Sequence, residues 1–123
     1  AAFPDPKSGK RGRIEHWQNA FNQGKLAARN MTGKHEAYTE PRYFFSDMFD
    51  LSWEFWGRTD EGFKALHVGE VEEGSFSTWW IDDDKTVRAA FVLNRPNDER
   101  ELAQTCVAKG AKLPAEIEKQ GEE

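Results

Sequence analysis

Cysteine, long apolar runs and secretory features are scarce or absent in this chain of 123 residues. Cys106 is its one cysteine, so no disulfide can form within the chain, and its place in an apolar helical pattern predicts a reduced, buried thiol. No stretch approaches the ~20 apolar residues of a membrane helix. Residues 1–12 lack the apolar run of a signal peptide. We therefore expect no membrane association and a location in the cytoplasm or an organelle interior.

Positive charge and nucleotide-binding glycines are also lacking. The chain carries 17 Lys and Arg against 22 Asp and Glu, a net charge of −5. Because nucleic-acid binding requires a clustered basic surface, we expect no nucleic-acid partner. The ten glycines stand singly and form neither a Gly-x-Gly-x-x-Gly turn nor a phosphate loop. The chain by itself therefore has no motif that would cradle a nucleotide.

Metal-binding and hydrolytic motifs are missing as well. His16, His35 and His67 share no local ligand spacing, and the single cysteine adds none. The acidic run 82–84 lacks the glycine and the final glutamate of a calcium loop, so it predicts a solvated hairpin tip. Glu15 and His16 are adjacent on a helix and diverge by about 100°, which disfavours an acid/base pair. We expect no metal and no independent catalytic site.

Aromatic residues are abundant, with five Trp and nine Phe, and they should carry most of the packing energy. Residues 1–12 read as a loop because proline and glycine interrupt them. Apolar residues from Ile14 to Met31 then recur at helical spacing, and Gly33 should end that helix. Gly24 lies on the apolar stripe, which indicates a close approach by another backbone or a ligand. Residues 34–41 form a polar linker.

Beyond Pro41 the apolar period becomes two. It predicts one extended segment from Tyr43 to Phe55 with Phe45 and Trp53 on the same side and Glu54 on the other. Further strands are predicted at 64–70, 76–81 and 86–93, the last two joined by a hairpin at 82–85.

Helical spacing returns after Pro96. Leu102, Ala103, Cys106 and Val107 share one face, Gly110 should stop the helix, and Pro114 can open a short helix at 115–120. The predicted fold is α+β, an antiparallel β-sheet meander with flanking helices.

Several segments of the chain resemble a known flavoenzyme family. Glu15-His16-Trp17 with Asn19-Ala20, followed by residues 22–24, resembles the helix after the second FAD contact of the oxygenase-coupled NADH:ferredoxin and rubredoxin reductases. Residues 1–6 look like the stretch just after that family's Gly-Asp flavin motif. Residues 44–47 and 49–57 are similar to the start of its C-terminal domain. Residues 50–57 and 75–92 most resemble monodehydroascorbate reductases, with apoptosis-inducing factor a more distant relative.

The resemblance implies the C-terminal part of an FAD-dependent NAD(P)H oxidoreductase. Residues 1–36 would be the tail of the FAD-binding domain, and residues 37–123 the reductase C-terminal sheet-and-helix domain. NAD(P)H would reduce FAD, and electrons would pass to a ferredoxin-like or rubredoxin-like protein or a small radical. Without the N-terminal FAD and NAD(P)H domains we expect no activity and no tightly bound flavin. The implied cofactor-binding residues are Glu15, His16, Trp17, Asn19, Phe44 and Phe45.

Two departures from the family pattern bear on the electron acceptor. Plant monodehydroascorbate reductases have Tyr where Phe45 stands and a basic residue where Phe21 stands, which weakens an ascorbyl radical as substrate. Trp17 and residues 22–24 favour the ferredoxin-reductase branch. The resemblance further predicts that Trp17 and Phe45 line one shared hollow.

A second interpretation comes from the residues alone. Aromatic stripes usually indicate core packing, and His16 is equally consistent with a surface histidine. If the helix has an uncovered face, Trp17 and Phe21 would form an apolar patch that promotes association. The alternative is therefore a free-standing interaction module or homodimer without redox activity.

Overall fold

The computed structural model describes residues 2–5 and 8–121. Ala1, Pro6, Lys7 and residues 122–123, which the predicted loop, flavin-motif stretch and acidic tail include, lie outside that range. The chain divides into two compact units, Ala1–Arg42 and Tyr43–Glu123.

The first unit opens with a short hairpin, where the sequence predicted only a loop. β1 (Phe3–Pro4) pairs antiparallel with β2 (Arg11–Gly12). The connection is closed by backbone hydrogen bonds, from the Asp5 N–H to the Lys10 carbonyl at 2.9 Å and from the Gly9 N–H to the Asp5 carbonyl at 2.8 Å. Gly9 has φ 69°, a left-handed conformation that glycine adopts without steric cost. The prediction was wrong because a two-residue ladder is too short to show a period.

The predicted helix is present as α1, Trp17–Met31. It ends as expected, with Gly33 at φ 95° and its N–H bonded to the Asn30 carbonyl. The following segment runs back along the helix: the Asn30 side chain exchanges two hydrogen bonds with the Glu36 backbone, and the Tyr38 hydroxyl donates to Asn19 Oδ1 at 3.0 Å. No described side chain of α1 is buried. Packing within this unit therefore leaves most of the helix surface uncovered.

The second unit is an antiparallel five-stranded sheet with helices. Its strands are β3 (Tyr43–Met48), β4 (Leu51–Gly57), β5 (Lys64–Glu70), β6 (Ser75–Ile81) and β7 (Val87–Leu93), in the spatial order β3-β4-β7-β6-β5. The antiparallel α+β prediction is confirmed. The strands do not form one continuous meander, however, because the β3–β4 hairpin joins the sheet through β4 and β7.

The single extended segment predicted from Tyr43 to Phe55 is wrong. Phe49 adopts φ 57°, and a turn at residues 49–50 reverses the chain. Register pairs Asp47 with Ser52 and Phe45 with Glu54, so odd positions on β3 face the same way as even positions on β4. Glu54 therefore lies beside Phe45, and Trp53 lies on the opposite face, which inverts the prediction beyond the turn.

The helices cover one face of this sheet. α2 (Asn97–Lys109) buries Ala103, Cys106 and Val107, as predicted, and ends at Gly110 with φ 62°. α3 (Ala115–Gln120) buries Ile117. Facing them are Trp56, Leu66, Val68, Trp79, Val87 and Val92, each of which contributes about 1.5–3 kcal/mol through its burial.

Among the described residues, no helix is both long enough and apolar enough to cross a bilayer.

Candidate functional site

Three aromatic rings on β3 and β4 form a wall on the helix-covered face of the sheet. Tyr43 stacks on Trp56 with ring centroids 5.6 Å apart and on Phe45 with centroids 5.9 Å apart, both at 27°. Trp56 is buried, Tyr43 is half-buried and Phe45 is 39% exposed. Burial thus falls along the row from Trp56 through Tyr43 to Phe45. Phe45 offers an accessible ring surface that two further rings support from behind.

An ion pair sits directly beside this wall. Arg100 of α2 donates from Nε to Glu54 Oε2 at 2.5 Å, and the Tyr43 hydroxyl donates to Glu54 Oε1 at 2.8 Å. The hydrogen bond from Arg100 lowers the pKa of the Glu54 carboxyl, whereas burial and the Glu54 acceptor raise the pKa of Tyr43 to about 12. Glu54 therefore stays ionised and Tyr43 stays neutral at pH 7. The three side chains fix the wall to the helix layer.

Phe44, the other predicted cofactor residue of β3, points to the opposite face. It stacks on Phe55 with centroids 4.9 Å apart and meets Trp53 edge-on at 5.6 Å. This layer continues across the sheet through Trp53, Phe91 and Phe76 and through Phe55 and Trp80. Because neighbouring residues of a strand alternate in direction, Phe44 and Phe45 cannot stack on the same planar ligand.

The remaining predicted residues surround the N-terminus of α1 in the first unit. Trp17, the first helical residue, is 59% exposed, and Phe21 is 55% exposed one turn later, with centroids 6.4 Å apart. His16 occupies the N-cap position without a side-chain cap hydrogen bond, and the first turn contains no acidic residue. Glu15 is exposed just before it. The N-terminus of a helix carries a partial positive charge, which favours a hydrogen-bond acceptor nearby.

Lys25 adds charge to this part of the first unit. Its ammonium lies 5.3 Å from the centre of the Phe21 ring, a cation–π contact. A positive charge therefore lies over the exposed ring of Phe21.

Asn19 organises the same unit through its amide group. The nitrogen donates to the Ile14 carbonyl at 3.2 Å, and the oxygen accepts from Tyr38 and from Gln23 at 3.3 Å. The described contacts give Asn19 a structural role, which the sequence reasoning did not anticipate.

Between α1 and residues 36–40 lies an open groove of about 420 Å³, lined in part by Lys25, Arg29 and Tyr38.

Gly24, where a close approach was predicted, has no heavy atom within 4 Å of an added Cβ. Within this structure the position is open space.

The structure thus groups the predicted residues into two sets, Glu15, His16, Trp17 and Asn19 in the first unit and Phe44 and Phe45 in the second. Sequence reasoning missed Glu54 and Arg100. A carboxylate between aromatic residues in Trp53-Glu54-Phe55-Trp56 was a usable signal, since an ionised side chain in such a strand needs a partner. The identity of that partner depends on the tertiary fold.

The acidic run at 82–84 forms a hairpin turn, as predicted. The Asp82 carboxylate accepts from the backbone N–H groups of Thr86 and Asp84 and from Arg88 at 2.8 Å. These donors lower the pKa of Asp82. No cluster of three or more His, Cys, Asp or Glu suited to a metal occurs in residues 2–5 and 8–121.

Comparison with known proteins assigns the chain to a family. Residues 41–122 match the family model described as "Monodehydroascorbate reductase 3-like, C-terminal domain". The chain is 32% identical over 107 residues to the ferredoxin–NAD(+) reductase component of the anthranilate 1,2-dioxygenase system of Burkholderia cepacia, covering 87% of this chain and 26% of that protein. It is also 32% identical over 120 residues to a Pisum sativum monodehydroascorbate reductase, covering 90% of this chain and 27% of the relative.

A solved structure supports the fold. The ferredoxin reductase for the CYP199A2 system of Rhodopseudomonas palustris superposes with a TM-score of 0.80 at 24% identity, covering 98% of this chain and 29% of that one. The chain spans about a quarter of the length of the curated relatives it matches. The family match, the relatives and the antiparallel sheet agree with the resemblance in residues 44–57 and 75–92. The chain belongs to the family of monodehydroascorbate reductase 3-like C-terminal domains.

Proposed function

We propose that this chain is the C-terminal portion of an FAD-dependent NAD(P)H oxidoreductase and that Phe45 forms part of its flavin wall. In such an enzyme NAD(P)H reduces FAD by hydride transfer, and the electrons then leave one at a time for an acceptor. The observation that carries the proposal is the accessible Phe45 ring backed by Tyr43 and Trp56, at the start of a domain that matches a monodehydroascorbate reductase 3-like family model. A planar ring system fits such a wall, because stacking orients it and excludes water.

Each part of the chain has a distinct role in this proposal. The N-terminus of α1, with Glu15, His16 and Trp17, would face the polar edge of the flavin. The positive end of the helix dipole favours partial negative charge there. Asn19 would hold that helix end in place through Tyr38. Phe45 would contact the ring system, and Phe44 would anchor the same strand from the opposite face. Residues 1–36 would then belong to the FAD-binding domain.

The chain alone should be inactive, since it supplies rings for a flavin but no glycine-rich turn for the pyrophosphate. Purified by itself, it should be colourless and should not oxidise NADH. A yellow chain that retains flavin through gel filtration would contradict this proposal.

A longer polypeptide that includes the residues encoded upstream of Ala1 tests the wall directly. FAD binding and NADH oxidation should appear, and Trp17→Ala and Phe45→Ala should each change the visible flavin spectrum. Each substitution should weaken FAD binding about 2- to 10-fold, the value of one aromatic stack. Phe49→Ala, at the exposed tip of the same hairpin, is the matched control and should leave the spectrum unchanged. Unchanged spectra for Trp17→Ala and Phe45→Ala would overturn the assigned wall.

For the electron acceptor we propose a ferredoxin-like protein, in agreement with the named role of the Burkholderia cepacia relative. The Lys25 contact on Phe21 and the monodehydroascorbate reductase family model keep a small anionic radical as the second candidate. The two are separated by measuring NADH-dependent reduction of a [2Fe–2S] ferredoxin and of monodehydroascorbate by the longer polypeptide. Lys25→Gln should slow only the reaction with the anionic radical, if that reaction occurs.

The exposed rings of Trp17 and Phe21 support the non-redox alternative, an interaction module or homodimer. Light scattering on the chain should show a dimer that Trp17→Asp disrupts if this alternative holds. The buried, free Cys106 fits a cytoplasmic or organelle interior for either function.

A further inference from the structure

One end of the sheet in the second unit carries an exposed apolar cluster. Phe49 is fully exposed at the tip of the β3–β4 turn, beside Met48 and Leu51, which are 57% and 41% exposed, and Val71 in the β5–β6 turn is 59% exposed. We call these four residues the apolar tip. Met48 and Leu51 are cross-strand partners, whereas Val71 comes from the β5–β6 turn. Two connections distant in sequence therefore contribute to the same surface.

Asn94 holds the two turns together. Its side-chain nitrogen donates to the Asp50 carbonyl at 3.0 Å and to the Gly74 carbonyl at 3.2 Å, and its side-chain oxygen accepts from the Ser52 N–H at 2.9 Å. Asn94 itself has φ 49°, a conformation that asparagine tolerates better than most residues. Because one side chain bonds both turns, the apolar tip is a defined surface and not two independent loops.

Phe49 has a backbone conformation that is unfavourable for phenylalanine. Its φ of 57° is left-handed, where bulky residues are uncommon and where Gly or Asn would be relaxed. Full exposure means that the ring gains nothing from packing within this structure. A strained, fully exposed phenylalanine on a braced turn has the features of an anchor for a partner.

The charges around the apolar tip specify the chemistry of that partner. Asp47, Asp50, Glu70, Glu72 and Glu73 are all exposed at this end of the sheet. Strands β3 and β4 and their turn contain no Lys or Arg, nor do residues 69–76. The nearby Arg95 is engaged by Glu99 at 2.8 Å. A second copy of the tip would bring acid against acid, which disfavours a symmetric dimer through this surface.

We propose that the apolar tip binds a segment of another protein that has an apolar stripe bordered by Lys and Arg. The phenylalanine supplies the central anchor, and the acidic rim supplies charge complementarity, which sets orientation and association rate. This inference does not depend on the proposed flavin chemistry.

The test uses the 123-residue chain and a fluorescein-labelled peptide of Leu and Lys, in which the leucines recur at helical spacing. Anisotropy titration should show binding that weakens as salt increases, and a peptide with Glu in place of Lys should not bind. Phe49→Asn should weaken binding at least about tenfold while preserving the circular dichroism spectrum, because asparagine accepts the left-handed turn. Met31→Ser removes an apolar side chain that is 82% exposed on α1 and serves as the matched control, with no change in affinity.

Three results would overturn the proposal. Affinity of Phe49→Asn within twofold of the unsubstituted chain would show that the tip is not the anchor. Equal affinity for the Glu peptide would remove the charge argument. Failure of the longer polypeptide to bind the Lys peptide, although the 123-residue chain binds it, would show that the tip is covered by the rest of the same protein. If the proposal holds, the double substitution Glu72→Gln and Glu73→Gln should reduce the salt dependence of peptide binding.

Discussion

Replacing Glu54 with Gln tests whether the ion pair beside the aromatic wall stabilises the second unit. The substitution preserves the size of the side chain but removes the charge that Arg100 and the Tyr43 hydroxyl both engage. Glu54 is 14% exposed, so the loss occurs where solvent compensates poorly. Arg100 is 41% exposed, so its own loss is partly offset by water. We expect Glu54→Gln to reduce the free energy of unfolding by about 1–2 kcal/mol at pH 7.

The effect should depend on pH in a defined direction. Because the folded-state pKa of Glu54 is lowered, the carboxylate stabilises the fold fully above the unfolded value of about 4.3. That stabilisation is lost as the pH falls below about 4.3 through the folded-state pKa. The difference between the two proteins should therefore be largest near neutrality and smaller at about pH 3.

Urea unfolding followed by tryptophan fluorescence measures the difference. Four of the five tryptophans, at positions 53, 56, 79 and 80, lie in the second unit, so a Trp17→Phe background restricts the signal to it. Glu101→Gln, an exposed carboxylate on the same helix as Arg100, controls for the change in net charge. A loss below about 0.3 kcal/mol at pH 7, or an equal loss at both pH values, would refute the assigned role of the ion pair.

Two further predictions concern a pair of glycines and the cysteine. Gly57→Ala should destabilise the second unit by about 3 kcal/mol or more, because Gly57 has φ 89° and an added Cβ would lie 2.2 Å from the Arg88 carbonyl oxygen. Gly24→Ala, in open space on a helix, should instead stabilise α1 by up to about 1 kcal/mol. Thermal melts that show equal effects of the two substitutions would contradict the geometry. Burial raises the pKa of the Cys106 thiol, so DTNB should react with it slowly in the native chain and rapidly in urea; rapid native reaction would show that the α2 interface opens.

The secondary structure of the second unit was predicted best where a hydrophobic period runs over many residues and ends at a turn or cap residue. The strand at 64–70 and the helix ending at Gly110 match the structure because alternation, helical spacing and a terminal glycine are local signals. The turn at Phe49 was missed for the opposite reason. Phenylalanine is not a turn residue, and the apolar alternation continues through the reversal without a break in the pattern.

The candidate site likewise has residues that a local motif identified and residues that only the tertiary fold brings together. Phe45 and Trp17 were identified from their motifs, and their role in cofactor binding stays a prediction. In the structure the Phe45 ring is accessible. The residues around Phe45 were not predictable. The hydrogen bond between Tyr43 and Glu54 follows from the hairpin register, and the ion pair between Glu54 and Arg100 joins residues far apart in sequence. That Trp17 and Phe45 line one hollow stays a prediction.

By itself, the sequence determined the three helices, the strands β5 to β7, the buried face of α2 and the reductase family, since each depends on residue types at short spacing or on a continuous motif. The tertiary structure alone decided the pairing of β4 with β7, the ion pair that holds the aromatic wall, and the meeting of two turns at Asn94. Those features are contacts between distant segments. Their energies depend on register and chain direction, which no local pattern encodes.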